Sequence, residues 1–166
     1  AIAQPPCRVL KIATCPSLSG KSTLTYHIGY VADGDRPVEE RIQLRVFDNT
    51  NIGFFSQEWV PFSVIQGEFA KVPADKPITS FLLHALFRGK SVNTPAFLFA
   101  ILKAESLVQP AKDKQRQYER LDSVGFIAMV KALIESDVDL KVVPRADRGG
   151  AKQAQGTKQA KGGESK

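Results

Sequence analysis

Apolar and polar residues alternate along the first part of the chain, with a period of two between residues 8 and 65. The segments TLTYHIGYV (23–31) and RIQLRVF (41–47) show this most clearly, because every second residue is apolar. The period is typical of half-buried β-strands. CRVLKIATC (7–15) and GFFSQEWVPFSVI (53–65) are expected to add two strands, the second broken at Pro61. The pattern predicts an antiparallel sheet or partial barrel over residues 1–70, with turns at residues 32–40 and 48–53.

The period becomes helical after residue 70. ITSFLLHALFRGK (78–90) predicts a helix that ends at Gly89, and SVNTPAFLFAILKAESL (91–107) predicts a second helix with Thr94 as its N-cap and Pro95 in its first turn. DSVGFIAMVKALIES (122–136) predicts a third, capped by Asp122 or Ser123. The buried face of the first helix is expected to consist of Ile78, Phe81, Leu82, Ala85 and Leu86.

The two periods together predict an α+β fold with three regions. An N-terminal antiparallel β-sheet or partial barrel (1–70) is followed by a three-helix, winged-helix-like region (71–140) and a basic tail (141–166). From Pro144 onward the tail has no large apolar residue and is rich in Gly, Ala, Gln and Lys. Such a composition cannot bury enough apolar surface to offset the entropy of ordering, so we expect the tail to be disordered.

Composition places the chain among ordinary globular proteins, with 166 residues of which 43% are hydrophobic. It has no run of about 20 apolar residues, as a membrane-spanning helix requires, and its first residues do not resemble a secretory signal. We therefore expect a cytoplasmic protein, with association with the nucleoid left open, and no membrane partner. The only two cysteines, Cys7 and Cys15, lie in one extended segment and are expected to be core or surface thiols, with no metal site.

Charge changes the functional expectation through its position. The formal net charge is +6, and residues 141–166 hold seven basic and two acidic residues. In the rest of the chain, residues 88–120 hold seven basic and three acidic residues. Positive charge is thus concentrated in one folded segment and in the tail, which favours a polyanionic partner.

The stretch CPSLSGKST (15–23) ends in the Gly-Lys-Ser/Thr tripeptide of phosphate-binding loops. Such a loop needs a glycine where this chain has Cys15, and it needs a helix that begins at the Lys-Ser pair. Pro16 has no N–H to offer, and the residues after Lys21 alternate as a strand. We expect a turn between two strands here, with Lys21 solvated.

No local signature of catalysis is present in the sequence. His27 lies on the polar side of a predicted strand and His84 in the first predicted helix, and neither is placed beside a nucleophile by its position in the chain. We expect a protein that is not an enzyme, with no catalytic residue, no cofactor and no metal.

Residues 78–121 resemble a winged helix. A helix, a short turn and a second helix opened by a polar cap precede the segment LVQPAKDKQRQYERL (107–121), which is apolar at both ends and charged in the middle. Two short strands at Leu107-Val108 and near Tyr118 would form a hairpin with a cationic tip. The resemblance implies DNA binding through the second helix and the hairpin. That helix is unusually apolar, since only Lys103, Glu105 and Phe99 are expected on its outward side.

The candidate nucleic-acid-binding residues are those basic and polar side chains that the resemblance and the tail supply. We expect these side chains to contact mainly the phosphate backbone of double-stranded DNA. They are Arg88, Lys90, Ser91, Asn93, Thr94, Lys103, Lys112, Lys114, Arg116, Arg120, Lys152, Lys158 and Lys161.

Two other functions remain open from the sequence. The α+β region can be a protein-interaction or assembly module, including a homo-oligomer, that binds no nucleic acid; the tail is then a solubilising segment. Alternatively, Arg41 and Arg45 with Phe54, Phe55 and Trp59 can form a basic, aromatic surface on the sheet that binds single-stranded nucleic acid.

Overall fold

The computed structural model describes residues 8–32 and 34–140, and a four-stranded antiparallel sheet forms one layer of the fold. The strands are β1 (Arg8–Pro16), β2 (Thr23–Tyr30), β3 (Ile42–Asn49) and β4 (Val60–Pro61), and they neighbour one another in chain order. β2 pairs along its whole length with β1 and from Leu24 to Tyr30 with β3, with one register shift on each side. The predicted antiparallel sheet is confirmed.

The helices form the second layer. They are α1 (Val38–Arg41), α2 (Phe62–Phe69), a 3₁₀ helix (Ser80–Phe87), α3 (Thr94–Ala104) and α4 (Val124–Glu135). Between α3 and α4 lies an antiparallel hairpin of β5 (Val108–Pro110) and β6 (Tyr118–Arg120), to which Ile78 adds a single bridge opposite Tyr118. The fold is α+β, as expected.

The described residues contain four α-helices and one 3₁₀ helix, whereas the sequence pattern predicted three helices. The prediction of a strand over residues 53–65 is wrong except at Val60 and Pro61. Phe62, Ile65 and Phe69 are three and four residues apart, so a helix turns all of them toward the core, where Phe62 and Ile65 are buried. The run is rich in aromatic and β-branched residues, which hid this helical spacing.

The first predicted helix is present, but it turns a different face to the core. Leu83 and Phe87 are its buried residues, while Phe81 is 73% exposed. A 3₁₀ helix winds more tightly than an α-helix, so the set of residues that share one side differs from the set predicted at 3.6 residues per turn. The helix ends at Phe87, and Gly89 follows with a φ of 73°, a value that glycine adopts without strain.

Helix α3 lies at the centre of the molecule. It packs against the 3₁₀ helix, β1, β3 and β5, and the sheet and the helices share one cluster of buried side chains. Its cap is Asn93 and its first residue is Thr94, so the helix begins one residue earlier than the prediction that made Thr94 the cap. Seven of its eleven residues are buried: Thr94, Pro95, Leu98, Phe99, Ala100, Ile101 and Leu102.

The prediction that Phe99 and Glu105 point outward is wrong. Phe99 is fully buried and meets the ring of Tyr118 edge to face at 4.8 Å. The carboxylate of Glu105 accepts hydrogen bonds from the Tyr26 hydroxyl and from the Lys11 ammonium, each at 2.7 Å. These contacts fasten the C-terminal end of α3 to β1 and β2.

Across the part of the chain that the structure describes, no helix combines the length and the apolar content needed to cross a bilayer. The predicted basic tail, with Lys152, Lys158 and Lys161, and the thiol of Cys7 lie outside the described residues.

Candidate nucleic-acid interface

The hairpin between α3 and α4 presents the densest group of exposed cations in the segment where the sequence concentrates charge. β5 and β6 pair through three residues each, and the loop closes with a hydrogen bond from the Ala111 amide to the Gln117 carbonyl at 2.9 Å. All five residues of the tip are exposed: Lys112, Asp113, Lys114, Gln115 and Arg116. The predicted hairpin with a cationic tip is confirmed as a structure.

The tip is built from a specific backbone conformation. Asp113 and Arg116 both have a φ of 65°, in the left-handed region that L-residues visit mainly in tight turns. Within the described residues, none of the three cations of the tip forms an ion pair with a carboxylate. Their positive charge is therefore available to an external anion.

An open cleft of about 440 Å³ separates the hairpin from residues 74–77. Four basic side chains and two acidic ones line it: Lys76, Lys112, Lys114, Arg120, Asp75 and Glu119. The Glu119 carboxylate already accepts a hydrogen bond from the Gln109 amide at 3.1 Å. The cleft thus carries a net positive charge beside the hairpin tip.

Arg120 holds the base of the hairpin rather than extending from it. Its guanidinium donates hydrogen bonds to the carbonyl oxygens of Phe69, Val72, Pro73 and Lys76. These bonds satisfy the last carbonyls after α2 and fix residues 69–76 against β6. Because its partners are carbonyls and not carboxylates, the charge of Arg120 still contributes to the potential of the cleft.

The polar residues before α3 are engaged inside the protein. Ser91 Oγ accepts from the amides of Asn93 and Thr94, and Thr94 Oγ1 accepts from the Ser56 amide at 2.8 Å. The Asn93 side-chain amide donates to the Phe54 carbonyl at 2.9 Å. Thr94 is 1% exposed. These three residues hold the 54–56 loop against α3, so they do not form an open anion site at its N-terminus.

The other cations of the predicted set differ in their surroundings. Lys90 pairs with Glu58 at 2.9 Å. Arg88 is exposed just before Gly89, and Lys103 is exposed near the end of α3. The structure therefore brings Lys112, Lys114, Arg116 and Arg120 together at the hairpin, and it places Arg88, Lys90 and Lys103 elsewhere.

A second open surface was not predicted from the sequence. Three large apolar side chains, Phe54, Phe81 and Val92, line a groove of about 700 Å³ and are each at least 71% exposed. Arg88 and Lys90 lie on the same groove. The ring of Phe81 stacks on that of His84, with centroids 4.7 Å apart. The groove was not predicted because the sequence pattern placed Phe81 in the core.

Most aromatic side chains at the sheet pack against other residues of the protein. The Arg45 guanidinium lies 4.5 Å from the centre of the Trp59 ring and 5.2 Å from that of Phe47. Its Nε donates to His27 Nδ1 at 3.1 Å, and His27 is 1% exposed. Phe55 is buried as well. Among the residues of the predicted single-strand surface, Phe54 stands out as exposed, and it faces the groove.

Burial also sets the acidity of two groups in this core. Desolvation, and then the charge of Arg45, lower the pKa of His27 to about 4. Desolvation, and then the carboxylate of Glu105, raise the pKa of Cys15 to about 11. Both groups are therefore held in their neutral forms near neutral pH.

The turn at CPSLSGKST has the predicted form. β1 ends at Pro16 and β2 begins at Thr23, so no helix follows Lys21. The Ser17 amide donates to the Ser22 carbonyl at 2.9 Å, and Gly20 has a φ of 76°. Lys21 is exposed. The expectation of a strand-to-strand turn is confirmed.

No family model, curated protein or solved structure matches this chain. The chemistry of its own surfaces is therefore the basis for assigning a function.

Proposed function

We propose that this protein is a non-catalytic nucleic-acid-binding protein whose hairpin cations contact the phosphate backbone of duplex DNA. The observation that carries the proposal is the group of three exposed cations at the hairpin tip, which pair with no carboxylate in the described residues. Lys and Arg side chains supply most of the affinity of proteins for duplex DNA by displacing condensed counterions. The paired strands β5 and β6 fix the tip before binding, which lowers the entropic cost of association.

The order of elements supports a winged-helix type of arrangement. A helix, the bridge at Ile78, two further helices and a two-stranded hairpin follow one another, and the hairpin corresponds to the wing. Burial of α3 argues against groove readout by that helix, because a reading helix presents polar side chains to base edges. We therefore assign the contacts to the hairpin and its cleft, and we expect binding that depends little on DNA sequence.

The basic tail is proposed to add phosphate contacts. Residues 141–166 hold seven basic residues, among them Lys152, Lys158 and Lys161, and this contribution rests on the sequence alone. A cytoplasmic location is proposed on the same basis.

The test is the salt dependence of DNA binding. Each phosphate that the protein neutralises contributes about −0.9 to the slope of log K against log salt, so the variant Lys112→Gln with Arg116→Gln should flatten the slope by about 1.8. Over a fourfold rise in salt, from about 50 to about 200 mM, those two contacts correspond to roughly a twelvefold change in affinity. Fluorescence anisotropy with a labelled blunt duplex measures both quantities on the full chain.

The matched control is Lys21→Gln with Lys131→Gln, which removes two exposed lysines that do not line the cleft. It should leave the slope within about 0.3 of the parent value, since its charges are not in contact with phosphate. Equal flattening by both double variants would contradict a specific role for the hairpin. The absence of duplex binding at about 50 mM salt would refute the proposal as a whole.

The second candidate function is protein interaction or assembly, including self-association. The exposed apolar side chains of the groove, Phe54, Phe81 and Val92, favour it, because monomeric proteins seldom expose several large apolar residues side by side. Sedimentation velocity over a range of protein concentrations tests it directly. A single monomeric species at every protein concentration would rule out a homo-oligomer.

A further inference from the structure

The groove along the 3₁₀ helix combines aromatic and cationic side chains in one open surface. Phe54 and Phe81 are 71% and 73% exposed, and Arg88 and Lys90 line the same groove. No carboxylate is among the described residues that line it. An anionic ligand with flat apolar groups matches this lining in both charge and shape.

The Phe81 ring and the Phe54 backbone are held in place. One face of the Phe81 ring lies against His84, with an angle of 29° between the rings, so its exposure comes from the opposite face and the edge. Phe54 is held through its backbone, because its carbonyl accepts from Asn93 and the neighbouring Ser56 amide donates to Thr94. Asn93 and Thr94 are thus positioning residues for this surface. Exposed aromatic rings are the platforms on which single-stranded nucleic acids stack their bases.

Arg88 supplies the charge for the backbone of such a ligand. It is exposed at the end of the 3₁₀ helix and forms no ion pair within the described residues. Lys90 adds a second cation, although its ammonium also contacts Glu58. A protein partner would bring apolar side chains to the same rings, but Arg88 and Lys90 are cations and no carboxylate lies beside them in the lining, which gives the advantage to a polyanion.

We propose that this groove binds unpaired nucleotides, with bases stacked on Phe81 and Phe54 and phosphate at Arg88. This proposal extends the proposed function to single-stranded nucleic acid. It rests on the proposed function in one respect, namely that the ligand of the protein is a nucleic acid. The sites differ: the hairpin contacts duplex backbone, and the groove contacts bases. Their failures are therefore distinguishable with different probes and different variants.

The experiment measures binding of a labelled 15-nucleotide oligothymidine and of a blunt duplex to the full chain, for the parent and for four variants. Phe81→Leu keeps an apolar side chain but removes the ring, and it should weaken oligothymidine binding by about 5- to 150-fold, the range for loss of one stacked base. Phe81→Tyr keeps the ring and should bind within about twofold of the parent. Val124→Ala, at an exposed apolar residue outside the groove, is the matched control and should change the affinity for neither probe.

Blunt-duplex binding should be the same for parent and Phe81→Leu, because the hairpin is untouched. Arg88→Gln should flatten the salt dependence of oligothymidine binding by about 0.7, the contribution of one phosphate of a single strand. Circular dichroism melting of each variant shows that a loss of binding is not a loss of folding, since Phe81 is a surface residue.

Three results would overturn the inference. The first is duplex binding without oligothymidine binding, which leaves the hairpin proposal standing. The second is equal oligothymidine affinity for Phe81→Leu and the parent. The third is concentration-dependent self-association that Phe81→Leu abolishes while oligothymidine binding stays unchanged, which would assign the groove to a protein partner.

Discussion

His27 provides the sharpest physical prediction, because its protonation is coupled to folding. The side chain lies on β2 and is 1% exposed, with its ring stacked on Phe47 at a centroid distance of 4.2 Å. Nδ1 accepts a hydrogen bond from Arg45 Nε, so this nitrogen must be unprotonated in the folded state. Burial, and then the positive charge of Arg45, lower the pKa of His27 from 6.5 to about 4.

The sign of the pH effect follows from that difference. Between about pH 6.5 and pH 4 the unfolded chain binds a proton at His27 and the folded chain does not, so acidification favours unfolding. With these two values the loss of stability is about 1.4 kcal/mol at pH 5.5 and about 2.5 kcal/mol at pH 4.5. The contribution is fully present above the unfolded pKa and disappears as the pH falls through the folded one.

Urea unfolding of the parent and of His27→Gln, at about pH 7.5, 5.5 and 4.5, isolates this effect. Glutamine can still accept from Arg45 but does not titrate, and the other ionisable groups cancel in the difference between the two proteins. The free energy of unfolding of the parent relative to the variant should therefore fall by about 2.5 kcal/mol across that range. A difference that stays constant with pH would refute the reasoning. NMR titration of the imidazole in the parent checks the same pKa without a variant.

Three further predictions concern residues whose burial or contacts are seen in the structure. Phe99→Ala should lower the free energy of unfolding by about 3–5 kcal/mol in urea, whereas Phe81→Ala should change it by less than about 0.5 kcal/mol; similar losses would contradict the assigned burial. Arg120→Gln should cost about 1.5–3 kcal/mol of stability, because its charged donors serve several carbonyls, and an unchanged melting temperature would show that they do not need it. In a Cys7→Ser background, Cys15 should react with iodoacetamide far more slowly in the folded protein than in urea at about pH 8, because burial raises its pKa; equal rates would contradict this.

The strands were predictable because their signal is local. In β2, Leu24, Tyr26 and Ile28 alternate with polar residues and are all buried on the core side. His27 shows the limit of that signal. It belongs to the polar set, but Phe47, Trp59 and Arg45 cover it from the other face. Burial on that second face depends on Arg45 and Phe47 of the neighbouring strand β3 and on Trp59, and alternation along β2 alone does not report the side chains of other segments.

The 3₁₀ helix, α3 and α4 were predictable in existence and less so in orientation, whereas α1 and α2 were not predicted. The positions of α3 and α4 follow from their apolar spacing and from Pro95 near the start of α3. The 3₁₀ winding of residues 80–87 is decided by packing against α3, so the sequence period pointed Phe81 inward when it is exposed. The hairpin cations were found because they are contiguous in the chain. The groove was missed because Phe54 and Phe81 meet only in the folded protein.

The two proposed surfaces are connected by one short element, and this predicts how they act together. The hairpin bonds to Ile78 through Tyr118, and the 3₁₀ helix that lines the groove begins at Ser80. At about 2 Å per residue, the chain from Ile78 to Arg88 covers on the order of 20 Å, which corresponds to about six base pairs of duplex. If both surfaces bind as proposed, we expect a duplex with a single-stranded overhang to contact both at once, and the second contact is then intramolecular. We expect such a substrate to bind at least tenfold tighter than either the blunt duplex or the oligothymidine alone. Anisotropy titration of the three probes measures this gain, and an overhang duplex that binds no tighter than the better single probe would show that the two surfaces do not engage one molecule.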